Sequence, residues 1–99
     1  MGREELLIVA ERVSSLVVGA LRTPVRSRVL CPRQENDDAA SRLWHCDIVI
    51  EGLGEDRRYR ASGVDSLQAL VLAVDMLYEI VPDVASSLGG TIEEISFNV

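Results

Sequence analysis

The stretch LWHCDIVIEGL, Leu43 to Leu53, alternates along its length. Trp44, Cys46, Ile48 and Ile50 fall on one side of an extended chain, and His45, Asp47, Val49 and Glu51 on the other, because successive strand side chains point to opposite faces. The pattern predicts a half-buried strand, closed by a turn at Gly52 and Gly54. Val25 to Cys31 alternates in the same way: Val25, Ser27, Val29 and Cys31 share one side and Arg26 and Arg28 the other. In Arg57 to Ala61, Tyr59 and Ala61 point inward and Arg58 and Arg60 outward. The connections are short or polar, with Arg33 to Arg42 read as a loop, so the three strands predict an antiparallel meander. Glu4 to Leu21 fits two periods. Its β-branched residues (Ile8, Val9, Val13, Val17 and Val18) favour a strand, ended by a turn over Gly19 to Pro24. Ile95, Phe97 and Val99 alternate with Glu94, Ser96 and Asn98 and predict a short last strand.

The alternation stops at Gly63. Asp65 is a good N-cap, and Gln68 three residues on completes a capping-box pattern. The spacing predicts a helix from there to about Val81, with Pro82 as its stop. Between Leu67 and Val81 only Gln68, Asp75 and Glu79 are polar, a stripe about 40° wide. Leu70, Ala73, Val74, Leu77 and Val81 would pack on a sheet. The remaining apolar flanks, Leu72/Met76/Ile80 and Leu67/Val71/Tyr78, exceed what one sheet can cover. Val71, Leu72, Met76, Tyr78 and Ile80 are therefore the expected interface, toward a second copy or another protein. The fold expected is α+β: an antiparallel meander of about four strands, one long helix of the C-terminal half packed on one face, and a short last strand. Ninety-nine residues make one domain, residues 1–99.

Composition removes several function classes. The net charge of −6 argues against nucleic acid, which needs a surplus of basic residues on one face. All ten basic residues are arginine, which reads as the composition of a GC-rich bacterial genome. There is no apolar run of about 18 residues for a membrane span and no signal-peptide pattern, so the expected location is cytoplasmic, with Cys31 and Cys46 reduced. No metal site is expected, because His45 and Cys46 are adjacent on a strand and point apart. No cofactor loop is present: EGLGED lacks the rest of a phosphate-binding pattern. His45 beside Asp47 could serve as a base, but no nucleophile is placed for it, and the chain reads as non-enzymatic. On the outer sheet face, His45, Asp47 and Glu51 would lie between Arg26/Arg28 and Arg58/Arg60. Such a charge ladder is worth about 0.2–1 kcal/mol per pair. The alternative function is that of an acyl- or peptidyl-carrier-like protein modified at Ser66, since Gly-x-Asp-Ser-Leu at a helix start is the carrier arrangement. The alternating strands before it speak against a helical carrier bundle.

The chain resembles a family of short bacterial proteins of unknown function. The residues that carry the likeness are AERV (Ala10–Val13), CPR (Cys31–Arg33), the Trp44-x-Cys46 strand running into Ile50–Leu53, and GVDSLQAL (Gly63–Leu70). The likeness spans about Ala10 to Gly90. It implies an α+β fold with the first segment a strand, and it implies no activity. The LLIVA start and the ISFNV tail depart from it. The reading as a whole is of a protein-protein interaction module, accessory or immunity-like.

Overall fold

A computed structural model describes residues 7–34 and 42–94. The chain order is β1 (Ile8–Val18), β2 (Leu21–Leu30), β3 (Arg33–Gln34), β4 (Trp44–Glu51), β5 (Arg57–Gly63), α1 (Ser66–Ser87) and β6 (Thr91–Glu94). All pairings are antiparallel: β1 with β2, β2 with β4, β4 with β5, β3 with β4, and β6 with β1. Since β5 runs along one edge of β4, β3 and β2 share the other edge as two parts of one track, broken at Cys31 and Pro32. The result is the meander β1-β2-β4-β5, with α1 crossing one face and β6 returning beside β1.

The α+β class and the antiparallel meander agree with the pattern of the sequence, and the first segment is a strand. The strand number differs: the sheet has six strands, because Arg33–Gln34 pairs with His45–Trp44 where a loop was expected. The first turn is also shorter than expected. Gly19 takes φ +60°, which a two-residue hairpin loop of the II′ kind requires at its first position. Leu21 to Pro24 therefore join β2. Pro24 is tolerated there because β4 pairing begins only at Arg26, leaving an open edge where no N–H is needed. The expected apolar strand Ile95, Phe97 and Val99 lies outside the described residues.

The core lies between the sheet and α1. Ile48 and Ile50 are fully buried, with Val25, Val29, Cys46 and Ala61 on the same face. Each of these isoleucines and valines stabilises the fold by about 1.5–3 kcal/mol. The helix answers with Ala69, Ala73, Leu77, Val81 and Ala85, a four-residue repeat whose alanines let it sit close. Gly63 is the point of closest approach: a Cβ there would lie 2.7 Å from the Ala69 nitrogen.

Both helix ends are well defined. Asp65 accepts from the Gln68 N–H, and the Gln68 Oε1 accepts from the Val64 N–H, each at 2.7 Å. The expected stop at Pro82 is incorrect, because α1 runs through it to Ser87. Proline removes one helix bond, but Val81 and Ala85 on either side are buried in the core and hold the helical path. The end comes at Gly89, with φ +80°. Its N–H donates to the Ser86 carbonyl and that of Gly90 to the Ala85 carbonyl, the Schellman arrangement.

Candidate functional site

Two features stand out: one flank of α1 and one face of the sheet. On the helix, the residues expected at an interface divide. Val71, Leu72 and Tyr78 are exposed, at 49%, 42% and 57%. Met76 and Ile80 are half-buried against the core. Leu70 and Val74, expected on the sheet side, are half-buried as well. The exposed set forms two unequal parts. Leu67, at 67% exposed, Val71 and Tyr78 follow one line along the helix, while Leu72 stands apart on the other side. The guanidinium of Arg12, on β1, lies over the Tyr78 ring at 4.8 Å and pairs with Glu94. A cation over an aromatic face is worth about 0.5–1 kcal/mol at an exposed site. This contact ties the ridge to β1, and nothing in the spacing of the sequence signals it. At the start of β1, Ile8 and Val9 are also exposed, as is Leu7 just before it.

The far face of the sheet carries the charge ladder, with a different centre from the one the alternation suggests. Asp47 is buried; its side chain is only 2% exposed. Arg60 Nε donates to Asp47 Oδ1 and Arg58 Nη2 to Oδ2, both at 2.8 Å. Arg33 Nη2 lies 3.5 Å from Oδ2. Register explains two of these: Arg60 is directly opposite Asp47 and Arg58 opposite Val49, within diagonal reach. The third needed the β3–β4 pairing, which polar residues at Arg33 and Gln34 did not announce. Burial alone would raise the Asp47 carboxyl. Hydrogen bonds from Arg60 and Arg58, with their positive charge, outweigh it and lower the pKa to about 2. The rest of the ladder is offset. Glu51 takes Arg28 Nη1 at 3.4 Å, while Arg28 Nε donates to Glu11 at 2.9 Å, and Arg26 lies nearest Glu11 rather than Glu51. The Glu11 hydrogen bond raises the Arg28 pKa.

Neighbouring groups have structural partners. His45 Nδ1 and Ser62 Oγ share a hydrogen bond of 2.8 Å. Asp47, two residues on, is held by the arginines. Cys46 is buried and donates to the Leu30 carbonyl at 3.2 Å. Burial, with smaller contributions from Asp47 and Cys31, pushes its pKa up to about 11. A protonated thiol of this kind is a poor nucleophile. Cys31, expected to end the second strand, follows it and is half-buried. Ser66 is exposed at the first position of α1.

Among the described residues no group of three or more His, Cys, Asp or Glu is placed to hold a metal ion. No described helix is long and apolar enough to cross a membrane. No curated protein and no solved structure was found to match the chain. Residues 10–91 match the model of a family described as Domain of unknown function (DUF6968), a span that holds the meander from Ala10 onward, the buried Asp47 and the capped helix start, and the chain belongs to that family.

Proposed function

We propose that the protein is a non-enzymatic interaction module that associates through the Leu67–Val71–Tyr78 flank of α1, in the first instance with a second copy of itself. The observation that carries this reading is the continuous exposed apolar line on a helix whose opposite side is fully engaged with the sheet. A lone exposed leucine is ordinary, but an aligned set on a rigid element is the mark of a docking surface. The charged stripe of Asp75 and Glu79 beside it supplies the polar rim such interfaces carry. Two polar groups of the kind used in catalysis are occupied, Asp47 by arginines and Cys46 by a carbonyl. This supports a binding role over an enzymatic one.

Static light scattering at tens of micromolar (about 10–100 µM) is expected to give the mass of a dimer. Val71→Glu should shift it toward the monomer without lowering thermal stability by more than about 0.5 kcal/mol, since the position is exposed, and Tyr78→Glu should do so at a further cost of about 0.5–1 kcal/mol from the lost Arg12 contact. A monomeric wild type over that range contradicts self-association. The carrier reading keeps one supporting observation, the exposure of Ser66 at the helix start. The sheet that precedes it favours the interaction reading. Intact mass after coexpression with a phosphopantetheinyl transferase separates the two: we expect no added arm on Ser66, and a mass shift lost in Ser66→Ala would reverse the choice.

A further inference from the structure

The helix does not cover the whole inner face of the sheet. Between α1 and the β1–β2 pair lies a cleft of about 360 Å³, walled by Ala10, Val29, Val74, Leu77 and Tyr78, with Glu11, itself paired to Arg28, also lining it. A smaller space of about 60 Å³ adjoins it and shares Arg12, Ser27, Leu77 and Tyr78, with Ser14 and Ile92 deeper in. The residues on the sheet floor are unusual for such a place. Arg12 and Ser27 are cross-strand partners, and Ser14 is two residues further along the same face of β1. Ser14 and Ser27 are each only 2% exposed. These are positions where a closed core would carry Val or Leu filling the gap to the helix. Small polar side chains leave the gap open instead. Ser27 lines both spaces and Ser14 the smaller one.

We infer that this cleft is a binding site for a small amphipathic carboxylate, with its alkyl or aromatic body against Val29, Val74 and Leu77 and its acid group on Arg12, Ser27 and Ser14. Ligand sites are mostly apolar clefts with a few convergent polar groups, set between packed elements. The wall and floor here divide in that manner. A guanidinium offers a two-pronged donor set that matches a carboxylate, and two hydroxyls can donate beside it. Arg12 already pairs with one carboxylate, that of Glu94. Glu94 is 67% exposed and lies on an edge strand, and the Arg12 side chain is 30% exposed. A pair so placed is screened by water and easily exchanged. The ligand's acid would take the Glu94 position, and the Tyr78 ring, stacked on Arg12, would form the outer lip. Leu67 and Val71 of the proposed self-association flank do not line the cleft, and Tyr78 borders both surfaces.

The test is a titration of the ¹⁵N-labelled full chain with octanoate, and separately with octanol, followed residue by residue in the amide spectrum. Octanoate is expected to give saturable shifts centred on Arg12, Ser27, Val29 and Leu77, with octanol at least about tenfold weaker. Ser27→Val, which fills the floor and removes a donor, should weaken octanoate by about tenfold while leaving the thermal midpoint level or higher. Arg12→Gln should remove the preference for the acid over the alcohol. Absence of saturable shifts overturns the inference. So do shifts centred elsewhere, or equal affinity for acid and alcohol in the wild type, a comparison that needs no variant to fold.

Discussion

Gly52→Ala is expected to destabilise the protein by about 3 kcal/mol or more, lowering the thermal midpoint by at least about 10 °C. Two effects combine at this position. Gly52 holds φ +102°, in the region that side chains avoid, and a Cβ there would stand 2.1 Å from the Pro24 carbonyl oxygen. That oxygen belongs to backbone in β2, so relief requires β2 and the β4–β5 turn to move apart next to the fully buried Val25 and Leu53. Gly54→Ala is the internal control. It also has a positive φ, +83°, but nothing lies within 4 Å of its added Cβ. It should cost about 1–2 kcal/mol from backbone strain alone. Urea denaturation of both variants gives the comparison, and equal losses would mean that the close approach to Pro24 carries no energy.

Asp47→Ala should cost about 2–3 kcal/mol. Removing one member of a buried ion pair usually costs more, but Arg58 and Arg60 are 56% and 42% exposed and regain water when their partner is gone. The carboxyl has a folded pKa of about 2, below its ordinary 3.8. A group depressed on folding contributes stability that is complete above its unfolded value and lost as pH falls through the folded one. Urea midpoints of the wild type and Asp47→Asn should therefore differ by a constant amount above about pH 5 and converge between about pH 4 and pH 2. Parallel curves across that window would mean that the carboxylate's charge adds nothing beyond the hydrogen bonds asparagine retains.

The sheet was readable in the sequence because period-two alternation survives wherever one face is buried. Trp44, Cys46, Ile48 and Ile50 do face the core, with His45, Asp47, Val49 and Glu51 behind them. The helix start was equally readable, since Asp65 and Gln68 act locally and their hydrogen bonds span only a few residues. Its end was not. Pro82 is a strong local stop, and burial of Val81 and Ala85 overrode it. What escaped was whatever depends on contacts distant in the chain. Arg58 and Arg60 on the β5 side of Asp47 followed from the meander, but on its other side the partner is Arg33 of β3 in place of the expected Arg26 and Arg28. The floor of the cleft looked like ordinary strand: Ser27 was placed with the apolar set because it is small. Only the position of α1 reveals that nothing fills the space above it, and only the fold brings Arg12 under Tyr78.

Hydroxyl-radical footprinting across a concentration series tests the proposed self-association through α1 most directly. Leu67, Val71 and Tyr78 report the proposed contact. Leu21, 73% exposed in the β1–β2 hairpin, serves as a reference that self-association through α1 should leave untouched. Labelling at Leu67, Val71 and Tyr78 is expected to fall relative to Leu21 as the protein rises from about 1 to about 100 µM. Constant relative labelling at all four residues over that range would contradict it.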